Sequence, residues 1–179
     1  MAKYIRVMFY LIAVLVTTNV AAQSILDGEI VETASFTNPK DRQRQLQCMA
    51  QNVYWEAGNE PHEGKIAVAQ VVMNRVESGQ FPKDPCAVVH QKNTIMEKVV
   101  CQFSWYCESP RLRIAVDSER WQESQEVAKL VLLDGFRLNL VKDALYFHAV
   151  HVNPRWGKRK VAKIGNHIFY NNERAGRRS

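Results

Sequence analysis

The stretch QNVYWEAGNEPHEGKIAVAQVVMNRV, residues 51–76, decides the reading of the fold. Its second half, IAVAQVVMNRV, is apolar almost all round, which predicts a helix buried at the centre of a domain. Its first half closes another helix. In RQRQLQCMAQNVYWEA, residues 42–57, Leu46, Met49, Ala50, Val53 and Ala57 fall on one helical face. Gly58 is expected to stop that helix in the left-handed conformation. Pro61 fits the first turn of the next helix, which runs to about Val76. This break separates three glutamates. Glu56 falls in the last turn of the first helix, facing the negative end of its dipole and following Tyr54 and Trp55. Dipole and desolvation both favour the protonated carboxyl, as a general acid requires. Glu60 and Glu63 fall at the start of the second helix, where an ionised carboxylate is stabilising.

Outward from this stretch, the chain of 179 residues has one domain's length, and 46% hydrophobic residues supply a core. The opening MAKYIRVMFYLIAVLVTTNVAAQ has Lys3 and Arg6, an apolar run from Val7 to Val16, and Val20 and Ala22 spaced as at a cleavage site. That pattern predicts a signal peptide over residues 1–22 and an exported protein, periplasmic or extracellular. The alternative is an uncleaved segment in transient membrane contact, although the run is about half of the ~20 residues a span needs. Residues 23–44 read as a polar leader, 45–171 as the domain, and 172–179 as a basic tail. Without residues 1–22, 22 Lys and Arg face 18 Asp and Glu, a net charge of +4. From Lys142 onward nine basic residues face two acidic ones. Such a surface suits anionic polymers or lipid, and export argues against nucleic acid.

Cys48, Cys86, Cys101 and Cys107 allow three disulfide pairings. Cys101–Cys107 with Cys48–Cys86 is favoured, because the first closes a short loop and leaves the second to clamp two segments. No C-x-x-C pair is present, which argues against zinc. SGQFPKDPC reads as a loop, and AVVHQ as a short turn or helix. NTIMEKVVCQFSWYCESPR reads as a short strand or an irregular loop held by cysteines. Asp117 is placed to cap a helix carrying Glu119 in its first turn and RWQESQEVAKLVLL along its length; Asp134-Gly135 ends it. DALYFHAV reads as a strand, and KVAKI-GN-HIFY as a two-residue hairpin. The sum is an α+β, mainly helical single domain with a small C-terminal β-hairpin.

The blocks YWEAGNEPHEGKIAVAQVVMNRV, FPKDPCAVVHQ, CQFSWYC and KIGNHIFY, in that order, resemble the cell-wall hydrolase family of spore cortex-lytic enzyme catalytic domains. The resemblance spans residues 45–171. It implies cleavage of peptidoglycan glycan strands, with a fold like that of the small lysozyme-like lytic transglycosylases. It makes Glu56 the catalytic acid and places Gln102, Phe103 and Ser104 along the glycan groove. It also draws in Tyr146, His148, Trp156 and His167 as substrate contacts. Trp105 offers a sugar-stacking face or a core side chain. Gly58-Asn59 stands where a basic residue and glycine are usual, and WGKRKVAK is unusually basic for the family.

Together these observations predict a monomeric lytic transglycosylase acting between N-acetylmuramic acid and N-acetylglucosamine. Glu56 serves as acid and then base, with no cofactor and no metal. Wall remodelling, germination and phage-driven lysis by an endolysin are all compatible with it. A hydrolytic muramidase is the alternative, with Asp117 or Asp143 as the water base. A cysteine peptidase using Cys86 or Cys101 with His148 or His167, and a non-catalytic peptidoglycan-binding module, are the rival classes. The histidines His62, His90, His148, His151 and His167 include the pair in HAVH, but no H-E-x-x-H is present.

Overall fold

The computed structural model describes residues 27–32, 36, 38–108, 114–116 and 118–176. The signal-peptide reading of residues 1–22 and the last three residues of the basic tail lie outside the described residues, as does Asp117. In chain order the elements are β1 (Gly28–Ile30), α1 (Pro39–Ala57), α2 (His62–Glu77), α3 (Pro85–Val89), β2 (Lys92–Ile95) and β3 (Lys98–Cys101). They continue with α4 (Ser104–Glu108), α5 (Glu119–Leu132), β4 (Phe136–Leu138), β5 (Tyr146–Ala149), β6 (Lys158–Ile164) and β7 (His167–Arg174). The architecture is mixed α and β.

Helix α1 starts earlier than periodicity indicates. Asn38 caps it by accepting a hydrogen bond from the Lys40 amide at 2.9 Å, and Pro39 opens the first turn. These capping residues carry no hydrophobic period, so the polar stretch conceals them. The same stretch holds β1, three residues paired antiparallel with β4, too short to show alternation.

Gly58 does end α1, but with φ −58°, in the right-handed region. Its glycine has another cause. A Cβ there would lie 2.4 Å from both Arg120 Cδ and the Tyr54 carbonyl oxygen, so the site excludes a side chain. Pro61 stands one residue outside α2, at its N-cap position.

Helix α2 is buried from Gly64 to Arg75. It packs against α1, α3 and α5. It is not wholly apolar, and its polar side chains hold the segment between β4 and β5 in place. Gln70 donates to the Leu138 carbonyl at 3.1 Å and accepts from the Leu138 amide at 2.7 Å. Asn74 donates to the carbonyls of Val141 and Ala144 at 2.9 and 2.8 Å. Arg75 Nε donates to the Leu145 carbonyl at 2.8 Å. Three side chains thus satisfy backbone groups from β4 to the start of β5, which lack strand partners there.

Helix α5 is capped by Ser118, whose hydroxyl accepts from the Trp121 amide at 3.3 Å; the cap expected at Asp117 is therefore one residue later. Glu119 sits in the first turn as expected. The segment read as strand or irregular loop is a hairpin, β2 with β3, turning through Met96 and Glu97 at positive φ. Its base is fixed by the Cys101–Cys107 disulfide, while Cys48–Cys86 ties α1 to α3. The C-terminal sheet has the order β5-β7-β6, all antiparallel, and Gly165-Asn166 form the hairpin turn. Among the described residues no helix is long and apolar enough to cross a membrane.

Candidate active site

Glu56 lies one residue from the end of α1, whose last turn holds no basic side chain. The helix itself therefore supplies no cation at its negative end. The side chain is half-buried on the wall of a cleft of about 430 Å³. Tyr54, Trp55, Asn59, Glu60, Arg120, His151, Asn166 and His167 also line it. Burial pushes the Glu56 carboxyl up to about 7; the positive charge of Arg75 works against this and the negative charge of Glu108 adds to it. No hydrogen bond to the carboxyl enters this balance. Glu56 therefore holds its proton to near-neutral pH and is free to give it away.

Glu60, the other carboxylate on this cleft, is engaged elsewhere. It accepts from the Asn166 amide at 2.7 Å and from Asn166 Nδ2 at 3.2 Å. It lies two residues before α2, so its role is not that of a first-turn acid but of a clamp on the β6–β7 turn. Gly165 belongs to that clamp: with φ +53°, an added Cβ would sit 2.1 Å from Glu60 Oε2 and 2.9 Å from Pro61 Cδ. Glu63 is in the first turn of α2, as expected.

The other expected residues fall into three groups. His167 joins Glu56 on the cleft; its ring is buried edge-on to Phe147 at 5.1 Å, and burial lowers its pKa. Gln102 meets Arg75: with the amide oxygen turned to the guanidinium, it accepts from Nη1 and Nη2 at 3.2 Å each. Phe103 is buried beneath the same guanidinium, 5.2 Å from its carbon. Ser104 is exposed at the start of α4.

Tyr146, His148 and Trp156 form an aromatic cluster with Tyr170, as the shared strand face of Tyr146 and His148 implies. His148 Nδ1 donates to the Ala149 carbonyl at 2.8 Å, so neutral His148 accepts from the Tyr170 hydroxyl at Nε2, 2.9 Å away. Both ring nitrogens thus have hydrogen-bond partners, and the cluster presents ring faces. Trp156 is 45% exposed and is the open edge of this platform. Trp105, by contrast, is buried and donates from Nε1 to Asn52 Oδ1 at 3.2 Å, which makes it a strut between α4 and α1.

The candidate water base Asp143 is not brought to Glu56. It is exposed on a separate depression with Arg159 and Lys160. The cysteines named for a peptidase are both in disulfides. Sequence reasoning misses Asn59, Arg120, Tyr170 and Arg75. Only Arg75 leaves a signal there, as the one charged residue of the mainly apolar run IAVAQVVMNRV. Arg120 stacks 4.7 Å over Tyr54 and donates to Asn59 at 3.3 Å, contacts that depend on α5 crossing the end of α1.

An acid kept protonated by burial, on an open cleft flanked by aromatic rings, is an arrangement suited to acid-catalysed cleavage of a glycan. Residues 59–170 match the family described as Cell Wall Hydrolase, and the chain belongs to that family. Glu56 lies just before the matched segment. Spore cortex-lytic enzyme of Oceanobacillus iheyensis is 32% identical over 136 residues, covering 71% of this chain and 41% of that protein. The Bacillus subtilis enzyme of the same name is 28% identical over 132 residues, covering 69% and 36%. The chain thus spans about two fifths of the length of these curated relatives.

Two solved structures are similar. The catalytic domain of the germination-specific lytic transglycosylase SleB from Bacillus anthracis superposes with a TM-score of 0.56 at 26% identity, covering 72% of this chain and 95% of that one. The catalytic domain of the Bacillus cereus SleB protein gives 0.53 at 23%, covering 79% and 95%, and bears on the fold alone.

Proposed function

We propose that this protein cleaves the glycan strand of peptidoglycan between N-acetylmuramic acid and N-acetylglucosamine, as a lytic transglycosylase of lysozyme-like kind. The observation that carries this reading is Glu56 itself: its carboxyl is pushed up to about 7 on an open cleft whose other carboxylate, Glu60, is occupied by Asn166. One acid is available for chemistry, and a one-acid mechanism fits it.

In the first step the Glu56 proton passes to the glycosidic oxygen, and the bond from that oxygen to the muramyl C1 breaks. The neighbouring N-acetyl group supports the positive charge at C1. In the second step the Glu56 carboxylate takes the proton of the muramyl C6 hydroxyl as O6 closes on C1. The product is a 1,6-anhydro ring, Glu56 is protonated again, and no water is consumed. The cleft with Asn59, Arg120 and Asn166 would hold sugar beside Glu56, and the ring platform with Trp156 offers a further face for a sugar ring. The polar cleft wall and aromatic faces are chemistry suited to sugars. The basic C-terminal part fits an anionic wall polymer. Two disulfides fit an exported chain.

The test is muropeptide analysis by mass spectrometry with purified peptidoglycan. Wild type releases anhydromuramyl products, and Glu56→Gln lowers release by about 10³-fold or more with an unchanged circular dichroism spectrum. Reducing muramic ends without anhydro species would make the enzyme a muramidase. Undiminished lysis by Glu56→Gln would remove Glu56 from the chemistry.

A further inference from the structure

Arg120 reaches the cleft from α5, as Glu56 does from α1, and it is the only lysine or arginine among the described residues that line it. The side chain is exposed, yet three contacts fix its course. Its stem crosses the space that Gly58 leaves empty: a Cβ at Gly58 would lie 2.4 Å from Arg120 Cδ and 3.0 Å from Cγ. Its guanidinium carbon stands 4.7 Å from the centre of the Tyr54 ring, and Nη1 donates to Asn59 Oδ1 at 3.3 Å. A guanidinium held in advance by a ring, an amide and a vacant position has less rotamer freedom to lose when it binds something.

None of these contacts neutralises the charge. Among the described residues the ion pairs use Arg44, His62, Lys65, Arg137 and Arg159, and none uses Arg120. Glu60 lines the same cleft, but its carboxylate is taken by the amide and side chain of Asn166. The helix gives the cation no support, since Arg120 stands in the first turn of α5, at the positive end of the dipole. Nor does the charge serve the acid: Arg75 and Glu108 are the charges that move the Glu56 carboxyl, and Arg120 is not among them. The bond to Asn59 occupies one N–H of a fork that matches a carboxylate through two parallel hydrogen bonds. A fixed cation on a cleft, unpaired among the described residues, suits an anion that arrives with the ligand.

We propose that Arg120 is a specificity residue that binds a carboxylate carried by the muramyl sugar, so that the cleft prefers acidic glycan to a neutral N-acetylglucosamine polymer. This deepens the function proposed above and rests on it. Muramic acid differs from glucosamine by its lactyl ether. The carboxylate is the lactyl group's own where the sugar is bare, and the stem peptide's where it is substituted. Both sources present the same planar anion to the guanidinium.

The experiment measures binding of full-length Glu56→Gln to three preparations of soluble, uncross-linked glycan strands. One keeps its stem peptides, one is trimmed by an amidase to the bare lactyl carboxylate, and one has its carboxylates capped as methylamides. Capped strands are expected to bind about tenfold more weakly than the better of the acidic two, and that better one names the source. Arg120→Gln in the same background removes the difference, whereas a merely structural arginine would weaken all three alike. The Arg120 Nε–H signal in NMR shifts on addition of acidic strands and not of capped ones; this decides alone if Arg120→Gln does not fold. Equal binding of capped and acidic strands, an undiminished difference in folded Arg120→Gln, or an unmoved Nε–H signal overturns the proposal. Wild-type lysis that ignores the capping leaves the cleavage reading standing and removes this one. A preference for acidic strands without wild-type lysis leaves the carboxylate site standing and removes the cleavage reading.

Discussion

Glu56, Glu60 and Glu63 share a stretch of eight residues and have three different fates. The sequence separates Glu56 from the other two correctly, because a helix end can be read from Gly58 and Pro61. It cannot show that Glu60 leaves its helix to grip a turn over a hundred residues away, since that depends on where the β6–β7 hairpin lands. Gly165 makes that contact possible. Gly165→Ala is expected to lose about 2–4 kcal/mol of stability, from the left-handed conformation and from displacement of Glu60, as measured by urea unfolding. Gly58 teaches the converse. Its position as a stop is legible, but its reason is not: the glycine makes room for Arg120 rather than supplying a left-handed turn.

At the scale of elements, hydrophobic period locates α1, α2 and α5, and the Gly-Asn dipeptide locates the last hairpin. The period is silent about the polar side chains of α2. Gln70, Asn74 and Arg75 lie on a helix that looks uniformly buried, yet their bonds shape the segment from Leu138 to Leu145. Asn74→Ala would leave the carbonyls of Val141 and Ala144 without their shared donor. A loss of about 2–4 kcal/mol in denaturant unfolding is expected, well above that of a surface asparagine. The β2–β3 hairpin is ambiguous in sequence for a physical reason. Its strands face solvent almost throughout, so no buried face imposes alternation on the sequence.

The whole molecule feels the protonation of its acid. In the folded state Glu56 keeps its proton up to about 7, whereas an unfolded glutamate releases it near 4.5. Between those values the folded state binds more protons, so this contribution to stability is full below 4.5 and is lost as pH rises through 7. After allowance for partial exposure, the loss amounts to about 2–3 kcal/mol. Glu56→Gln is therefore expected to match wild type at pH 4 and to exceed its stability by that amount at pH 8, as read from urea midpoints. Lytic activity should fall over the same upper range as the acid deprotonates.

The Glu60 clamp bears on how the cleft meets a polymer. It joins the loop after α1 to the β6–β7 turn, two cleft walls that belong to distant parts of the chain. Under the proposed function, a groove whose walls are braced before the glycan arrives loses little further entropy on binding it. Its width is a built-in dimension, so a stiff, bulky strand is sorted by shape on entry rather than gripped by a closing jaw.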